Sequence, residues 1–290
     1  MPILSAVVKY CVANFVLLMI CIPCVILGQG KKQDSFFFIQ LTDPQLGFYS
    51  QGSDFSREQE QMHVLIETIN LLKPAFVVIS GDFVHDKENK AQLDGFEALC
   101  KEIDSRIPLY LIPGNHDVGN DMTAEGTKQF VRRYGSDRFV WKNKNGCVIG
   151  FNSSEIRSGD PKRELDEFQW IEKQLIKYRK CDHIILNGHH PFYVRSADEA
   201  DSYDNIPLAV RSKYLDMFCR YGVDVVLSGH LHRCVQSYYG YVRLVTSGAA
   251  GRSLGMSKPG MLVVTILPEV IHTNFYEINH LPRTINMFGR

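Results

Sequence analysis

Apolar and polar positions fall into blocks along this chain, and the blocks predict a repeating pattern of strands and helices. Short continuous apolar runs are typical of strands that are buried on both faces of a sheet. The main runs are Phe36–Gln40, Ala75–Ile79, Pro108–Ile112, His183–Asn187 and Val223–Ser228. Two shorter strand candidates are Arg138–Lys142 and Gly146–Asn152.

Amphipathic stretches separate these runs. Over Asp54–Lys73, apolar side chains recur at mostly three- and four-residue spacing, which predicts a helix that Pro74 ends. The same pattern predicts further helices over Lys90–Ile103, Thr123–Tyr134, Arg163–Arg179 and Leu208–Tyr221. From Cys234 to Tyr276 the pattern changes to alternating strands and turns, which is consistent with a meander.

Strands that alternate with helices predict an α/β fold with largely parallel strands, formed here by one domain over residues 35–280. In such sheets, ligands bind in the crevice outside the carboxyl ends of the strands. Candidate functional residues are therefore expected directly after the predicted strands.

The first 30 residues differ from the rest of the chain. Tyr10–Leu27 contains no charged side chain and lies between Lys9 and the pair Lys31 and Lys32. A run of about 18 apolar residues is at the lower limit for a membrane span and at the long end for a signal peptide. Residues 1–30 are therefore predicted to be a signal peptide or membrane anchor, giving a secreted or membrane-anchored protein. If the segment is not used in this way, the protein is cytoplasmic.

The charge balance argues against a nucleic-acid-binding protein. Lys and Arg total 32, Asp and Glu also total 32, and no basic stripe is visible. The chain also contains no GxxxxGK phosphate loop and no GxSxG nucleophile elbow. Nucleotide-driven transfer and serine hydrolysis therefore lack support.

Five short runs share one composition, in which carboxylate, amide or imidazole groups occur beside small turn residues. Four of them directly follow a predicted strand, and GNHD lies just past one. The runs are TDPQ at 42–45, GD at 81–82, GNHD at 114–117, GHHP at 188–191 and SGHLH at 228–232. Two adjacent divalent cations need about four protein ligands each, from nitrogen and oxygen donors, so the five runs together predict a two-metal hydrolytic site.

The first two runs supply oxygen ligands. Asp43 is an anionic ligand, and Gln45 offers a neutral amide oxygen; their alternation along an extended segment would point both side chains the same way. Asp82 follows a glycine at a strand end, where its carboxylate can bridge two cations. Taken singly, DPQ is a plausible turn and Asp82 a plausible helix cap.

The remaining runs supply nitrogen ligands and an acid. Asn115 offers an amide oxygen, and His116 can reach the leaving group. Asp117 is placed to set the tautomer of a nearby imidazole or to raise its basicity. Although a single histidine at a strand end is usually structural, several occur together here. His189 follows one strand, and His230 and His232 alternate along an extended segment after another, so that both could face a metal cluster.

The five runs resemble, in order and spacing, those of the calcineurin-like metallophosphoesterase family over Phe36–Ile278. The resemblance implies a four-layer α/β/β/α sandwich, in which two mixed sheets face each other and helices cover the outside. It also implies a first metal held by Asp43, Gln45, Asp82 and His232, and a second held by Asp82, Asn115, His189 and His230. His116 would be the general acid, and His190 matches a variable position.

The family usually has histidine where this chain has Gln45. That departure resembles a subfamily of serine/threonine-protein phosphatases. An amide ligand favours manganese or magnesium over iron or zinc as the two divalent cofactors. The expected function is therefore hydrolysis of phosphate monoesters by a hydroxide that two metals activate, with a phosphoprotein as the expected substrate. A phosphodiesterase and a catalytically weak metal-binding adaptor remain alternatives.

Substrate specificity is expected to lie in loops between the motifs. One of them, Phe192–Ile206, is acidic and has no recognisable code. Beyond a phosphorylated substrate and a possible membrane contact through residues 1–30, the sequence indicates no partner, and it leaves the oligomeric state open.

Overall fold

The apolar runs form strands and the amphipathic stretches form helices, at nearly the predicted positions. The computed structural model describes residues 35–52 and 54–287, which belong to one compact unit. Its helices are α1 Ser56–Leu72, α2 Lys90–Glu102, α3 Asn115–Val118, α4 Ala124–Tyr134, α5 Ser153–Arg157, α6 Pro161–Tyr178 and α7 Leu208–Arg220. Its strands are β1 Phe36–Leu41, β2 Val77–Ser80, β3 Leu109–Ile112, β4 Phe139–Lys142, β5 Gly146–Gly150, β6 His183–Asn187, β7 Val225–Ser228, β8 Val235–Tyr239, β9 Val242–Thr246, β10 Gly260–Ile266 and β11 Ile271–Glu277.

The strands form two mixed sheets. In the first, with order β11-β10-β1-β2-β3, β1, β2 and β3 are parallel, whereas β10 is antiparallel to both β1 and β11. In the second, with order β4-β5-β6-β7-β9-β8, the four central strands are parallel and the two edge strands are antiparallel to their neighbours. Each sheet therefore has a parallel centre whose carboxyl ends share an edge.

Three apolar cores hold four layers together. The middle core lies between the sheets, where Phe38 and Val78 of the first sheet pack with Ile185 and Leu227 of the second. The other cores lie outside, where α1, α2 and α4 cover the first sheet and α6 and α7 cover the second. A strand buried on both faces is apolar at nearly every position, which explains its almost continuous apolar run. The predicted α/β/β/α sandwich is confirmed.

Helix ends follow the local signals in the sequence. At the end of α1, Lys73 takes a left-handed conformation (φ 54°) directly before Pro74, which cannot continue a helix. At the start of α2, the Asn89 side chain accepts hydrogen bonds from the amides of Ala91 and Gln92. The two short helices α3 and α5 were not predicted, because segments of four and five residues show no helical period.

The prediction of a meander over Cys234–Tyr276 is wrong. Of the four strands in this segment, β8 and β9 pair with each other in the second sheet. The other two, β10 and β11, join the first sheet, where β10 lies beside β1. Alternation along a strand reports which of its faces is buried, but it does not identify the neighbouring strand. The chain therefore passes from one sheet to the other between β9 and β10.

The predicted signal peptide or membrane anchor over residues 1–30 lies outside the described residues. Within the described part of the chain, no helix has both the length and the apolar character needed to cross a membrane.

Candidate metal centre

The parallel strands of both sheets bring the five polar runs to one place. The seven predicted metal ligands all expose 6% or less of their surface. His189 Nε2 lies 3.2 Å from Asp82 Oδ2 and 3.9 Å from Asp43 Oδ1. His232 Nε2 lies 3.4 Å from the same Asp43 oxygen. Loops that follow β1, β2, β6 and β7 thus form one buried cluster.

Hydrogen bonds fix the orientation of the Asp43 carboxylate. Its Oδ2 accepts from the Thr42 hydroxyl at 2.7 Å and from the His230 amide at 2.9 Å. Its Oδ1 is buried and has no hydrogen-bond partner among the described residues. One oxygen therefore anchors the side chain, and the other is available to a ligand.

Backbone carbonyls fix the tautomers of the three predicted histidine ligands. His189 Nδ1 bonds the Ser80 carbonyl at 2.8 Å, and His230 Nε2 bonds the Tyr203 carbonyl at 2.9 Å. His232 Nδ1 bonds the Arg252 carbonyl at 2.5 Å. A carbonyl can only accept, so each of these nitrogens carries the proton, and the opposite nitrogen keeps a lone pair for a metal.

The amide of Asn115 is oriented in the same way. Its Nδ2 donates to Asn120 Oδ1 at 2.6 Å and to the Tyr203 hydroxyl at 2.7 Å. Both amide hydrogens are therefore used, and the buried Oδ1 is left without a partner among the described residues. Gln45 Oε1 is likewise buried and has no hydrogen-bond partner among the described residues.

Five buried ligand atoms thus have no hydrogen-bond partner in the part of the chain that the structure describes. They are Asp43 Oδ1, Gln45 Oε1, Asn115 Oδ1, His189 Nε2 and His230 Nδ1. Leaving a buried polar atom unsatisfied costs about 1–3 kcal/mol. Oxygen and imidazole donors arranged in this way fit divalent cations, and this donor set accepts several of them, so it does not by itself fix the metal.

Five of the predicted ligands have a left-handed backbone. The φ angles are 52° at Asp43, 40° at Gln45, 54° at Asp82, 71° at His230 and 52° at His232. Asp43 with Gln45, and His230 with His232, were expected to converge through alternation along an extended segment, and that expectation is wrong. Non-glycine residues adopt this conformation at a cost of about 1 kcal/mol or more, and such residues cluster at functional sites. Tight turns, not the pleat of a strand, aim these side chains.

Two motif glycines leave room for the ligands. A Cβ on Gly81 would lie 2.4 Å from His189 Nδ1, and a Cβ on Gly114 would lie 2.2 Å from Asp82 Oδ1. Gly81 also has a φ of 92°, which disfavours any side chain. Glycine is required at both positions because the ligand side chains occupy the space of a Cβ.

Mutual electrostatics separate the pKa values of the buried groups. Burial opposes ionisation of His189, but the adjacent Asp82 carboxylate outweighs it and raises the pKa of His189 to about 9, so a proton and a metal ion compete for the Nε2 lone pair. Burial, reinforced by the charge of His189, lowers the pKa of His230 to about 3. Burial would raise the pKa of Asp82, but His189 holds it well below its usual range. Such divergence is typical of functional sites.

Asp117 does not orient an imidazole as predicted. Its Oδ2 accepts from the amides of Asp82 at 2.7 Å and Gly114 at 2.8 Å, and its Oδ1 accepts from the Phe83 amide at 2.9 Å. Burial and the charge of Asp82 raise the pKa of Asp117 to about 7. The carboxylate therefore braces the two loops that carry Asp82 and Asn115.

His116 lies beside the cluster and is held from two sides. Its amide donates to Asp82 Oδ1 at 2.9 Å, and its Nδ1 bonds the His85 carbonyl at 2.9 Å. The His85 ring stacks between the rings of His116 and Phe48, with centroids 5.5 Å from each. The position of the His116 ring is therefore set by the backbone of the loop after β2.

His190 groups with His189 and His230, but its hydrogen bonds argue against a metal-ligand role. The Ser153 hydroxyl oxygen accepts from the amides of both His189 (3.1 Å) and His190 (2.9 Å), so its own proton points to His190 Nδ1 at 2.9 Å. The proton of the neutral imidazole then lies on Nε2, which removes the lone pair there.

Sequence reasoning missed Ser153 and Tyr203. Ser153 lies in the short helix α5, and Tyr203 lies in the acidic loop after β6. Their contacts with the cluster join residues that are 27 to 88 positions apart in the chain. No local signal identifies either residue.

Comparison with known proteins gives a consistent picture. A family model described as calcineurin-like phosphoesterase matches residues 38–234. The chain is 33% identical over 273 residues to the human serine/threonine-protein phosphatase CPPED1, covering 87% of both chains. Among solved structures, it resembles a dimetal phosphatase from Danio rerio (TM-score 0.62, 10% identity, 84% of this chain and 97% of that one). It also resembles GAP50, described as the anchor in the inner membrane complex of Plasmodium (TM-score 0.64, 16% identity, 86% of both chains).

Proposed function

Because this chain belongs to the calcineurin-like phosphoesterase family, we propose that it removes phosphate from serine or threonine side chains of proteins. The observation that carries the proposal is the set of five unpartnered buried ligand atoms at the ends of the parallel strands. The relatives named serine/threonine-protein phosphatase support this substrate class over other phosphate esters.

Seven residues would hold two divalent ions, with the Asp82 carboxylate shared between them. Asp43, Gln45 and His232 would complete the first set, and Asn115, His189 and His230 the second. When bound, such ions supply a hydroxide nucleophile near neutral pH and neutralise charge on the phosphoryl oxygens. Since Gln45 gives an oxygen ligand where imidazole is usual in the family, manganese or magnesium fits this set better than iron or zinc.

His116 would protonate the departing alkoxide. The carbonyl of His85 accepts the Nδ1 proton and holds the ring, while Nε2 carries the transferable proton in the imidazolium form. A serine alkoxide is a poor leaving group and needs that proton, whereas a nitrophenolate leaves without it. The loss on removing His116 should therefore depend on the substrate.

Turnover by the manganese-reconstituted protein tests the proposal. Phosphoserine and phosphothreonine peptides should be hydrolysed faster than bis-aryl phosphates, and Asp82→Asn should abolish turnover, while Asp166→Asn, on the exposed face of α6, should not change it. His116→Asn should reduce the rate on a phosphoserine peptide by about 10²–10⁴-fold and the rate on nitrophenyl phosphate by much less. Inactivity with both manganese and magnesium would refute the proposal, and a preference for diesters would assign a phosphodiesterase instead. A single bound ion without turnover would favour a metal-binding adaptor.

The apolar segment Tyr10–Leu27 supports a further proposal, that the N-terminus directs the protein to a membrane or the secretory route. Fractionation of a protein tagged at its C-terminus tests this. Recovery of the full-length chain in the soluble cytoplasmic fraction would contradict it.

A further inference from the structure

A structured loop reaches the metal centre from one side. Phe192–Ile206, which we call the strap, connects β6 to α7 and carries Tyr203 to the cluster. Tyr203 contacts Asn115 and His230, two predicted ligands that come from different sheets. The strap is therefore part of the site, not a solvated connection.

Two arginines, Arg211 and Arg157, hold the strap in place. The guanidinium of Arg211 is fully buried and donates to three strap carbonyls, those of Ala197 (2.9 Å), Glu199 (2.8 Å) and Ile206 (3.0 Å). On the other side, Arg157 donates to the Asn205 carbonyl. Hydrogen bonds from a charged donor are about twice as strong as neutral ones. The position of Tyr203 is therefore fixed by the fold.

Several of the strap's acidic side chains have structural roles. The Glu199 carboxylate accepts from the amides of Val194 and Arg195, each at 2.8 Å, and the Asp201 carboxylate accepts from the Leu208 amide at 2.6 Å. These carboxylates shape the loop, so the acidic composition of the strap does not by itself describe a recognition surface.

Tyr203 makes three contacts with the cluster. Its carbonyl accepts from His230 Nε2 at 2.9 Å, and its ring centroid lies 4.7 Å from that of His230. Its hydroxyl lies 2.7 Å from Asn115 Nδ2. The residue is nevertheless 55% exposed, so it borders the cluster at the surface where a substrate would enter.

The direction of the hydrogen bond between Asn115 and Tyr203 determines whether the phenol can still donate its own proton. The amide nitrogen of Asn115 has hydrogens and no free lone pair, so the phenol oxygen is the acceptor. The phenol's own proton has no acceptor among residues 35–52 and 54–287. A hydrogen-bond donor thus remains beside the amide of Asn115, one of the predicted ligands.

We infer that the Tyr203 hydroxyl donates a hydrogen bond to a terminal oxygen of the substrate phosphoryl group and thereby favours monoesters over diesters. The inference rests on the proposed phosphatase function. A phosphomonoester has three terminal oxygens and a diester has two. If two cations each take one oxygen, only the monoester keeps a further terminal oxygen, with its negative charge, for the phenol.

Tyr203→Phe removes the hydroxyl and keeps the ring on His230 and the backbone carbonyl that His230 bonds. For a phosphoserine peptide, kcat/KM should fall about 10- to 100-fold, as expected for losing one hydrogen bond to a charged group. For a bis-aryl phosphate, kcat/KM should change less than about threefold. The inhibition constant of orthophosphate should rise by the same factor as the monoester loss, and the manganese content should stay the same.

Tyr193→Phe is the matched control. Tyr193 lies in the same strap, and its hydroxyl donates to the Tyr238 carbonyl at 2.6 Å, away from the cluster. This variant should keep both activities and the phosphate affinity. A Tyr203→Phe variant that loses monoester and diester activity equally, or loses bound manganese, would show a purely structural role and overturn the inference.

Failure of the proposed function is distinguishable from failure of the inference. If the wild-type protein hydrolyses no phosphate ester, calorimetry of orthophosphate binding to the manganese-loaded protein still tests whether the Tyr203 hydroxyl contacts phosphate. Weaker binding by Tyr203→Phe than by both wild type and Tyr193→Phe would support the hydroxyl contact, and equal binding would overturn it.

Discussion

Divalent cations should stabilise this protein strongly, because the folded chain buries five ligand atoms that lack hydrogen-bond partners among the described residues. Two of them, Asp43 Oδ1 and His189 Nε2, already lie 3.4 Å from His232 Nε2 and 3.2 Å from Asp82 Oδ2. Each of the other three costs about 1–3 kcal/mol, so satisfying them offers roughly 3–9 kcal/mol. An ion present at 100 times its dissociation constant stabilises the folded state by about 2.7 kcal/mol, and two ions by about 5 kcal/mol. For a domain of this size, 1 kcal/mol shifts the melting temperature by about 2–4 °C. Manganese added to chelator-treated protein should therefore raise the melting temperature by roughly 10–20 °C.

Differential scanning fluorimetry with and without manganese measures this shift. Asp82→Asn keeps the shape of the side chain but removes the carboxylate proposed for both ions, so it should lose most of the shift. The control is Asp166→Asn, which changes an exposed carboxylate on α6 and should keep the full shift. A manganese shift below about 3 °C in the wild-type protein, or a full shift in Asp82→Asn, would refute the argument from unpartnered atoms.

Three further predictions concern single side chains. Gly114→Ala should lower kcat by at least about tenfold in a protein that still folds, because the added Cβ would lie 2.2 Å from Asp82 Oδ1; unchanged kcat would contradict this. Gln45→His should raise the relative affinity for zinc, measured by competition against manganese, and an unaltered preference would show that Gln45 does not select the metal. Burial raises the pKa of Glu167 to about 8, against the opposing charge of Arg138, and the ordinary value is 4.5. The folded state therefore holds more protons than the unfolded state between these values, so stability should fall as pH rises through that window. Glu167→Gln should flatten this fall in melting temperatures from pH 5 to pH 8, and parallel curves for the two proteins would count against it.

Much of the architecture follows from local sequence signals. Nearly continuous apolar runs identified β1, β2, β3, β6 and β7, because strands covered on both faces need apolar side chains at most positions. Pro74 marked the end of α1 for the equally local reason that proline cannot continue a helix. The partners of β8 to β11 were not predictable in this way. The face pattern of a strand is a property of that strand, but its neighbour is chosen by contacts between distant segments.

The candidate site, too, was predictable from the sequence only in part. The identities and order of Asp43, Asp82 and His189 were enough to place them together, since each follows a strand of a parallel array, and ligands bind outside the carboxyl ends of such strands. Their orientation was not predictable, because it depends on left-handed turns and on hydrogen bonds across the chain. His189 takes its tautomer from the carbonyl of Ser80, which lies 109 residues away in the sequence.

By itself, the sequence determined the α/β class, the strand ends that carry the five polar runs, and the chemical types of the metal ligands. These follow from hydrophobic period and residue identity, which are local properties. Only the tertiary structure decided which atom of each ligand is free, that Asp117 braces backbone amides, and that Tyr203 borders the cluster. Those facts depend on hydrogen-bond partners supplied by remote segments, and a donor or acceptor has no fixed partner until the chain has folded around it.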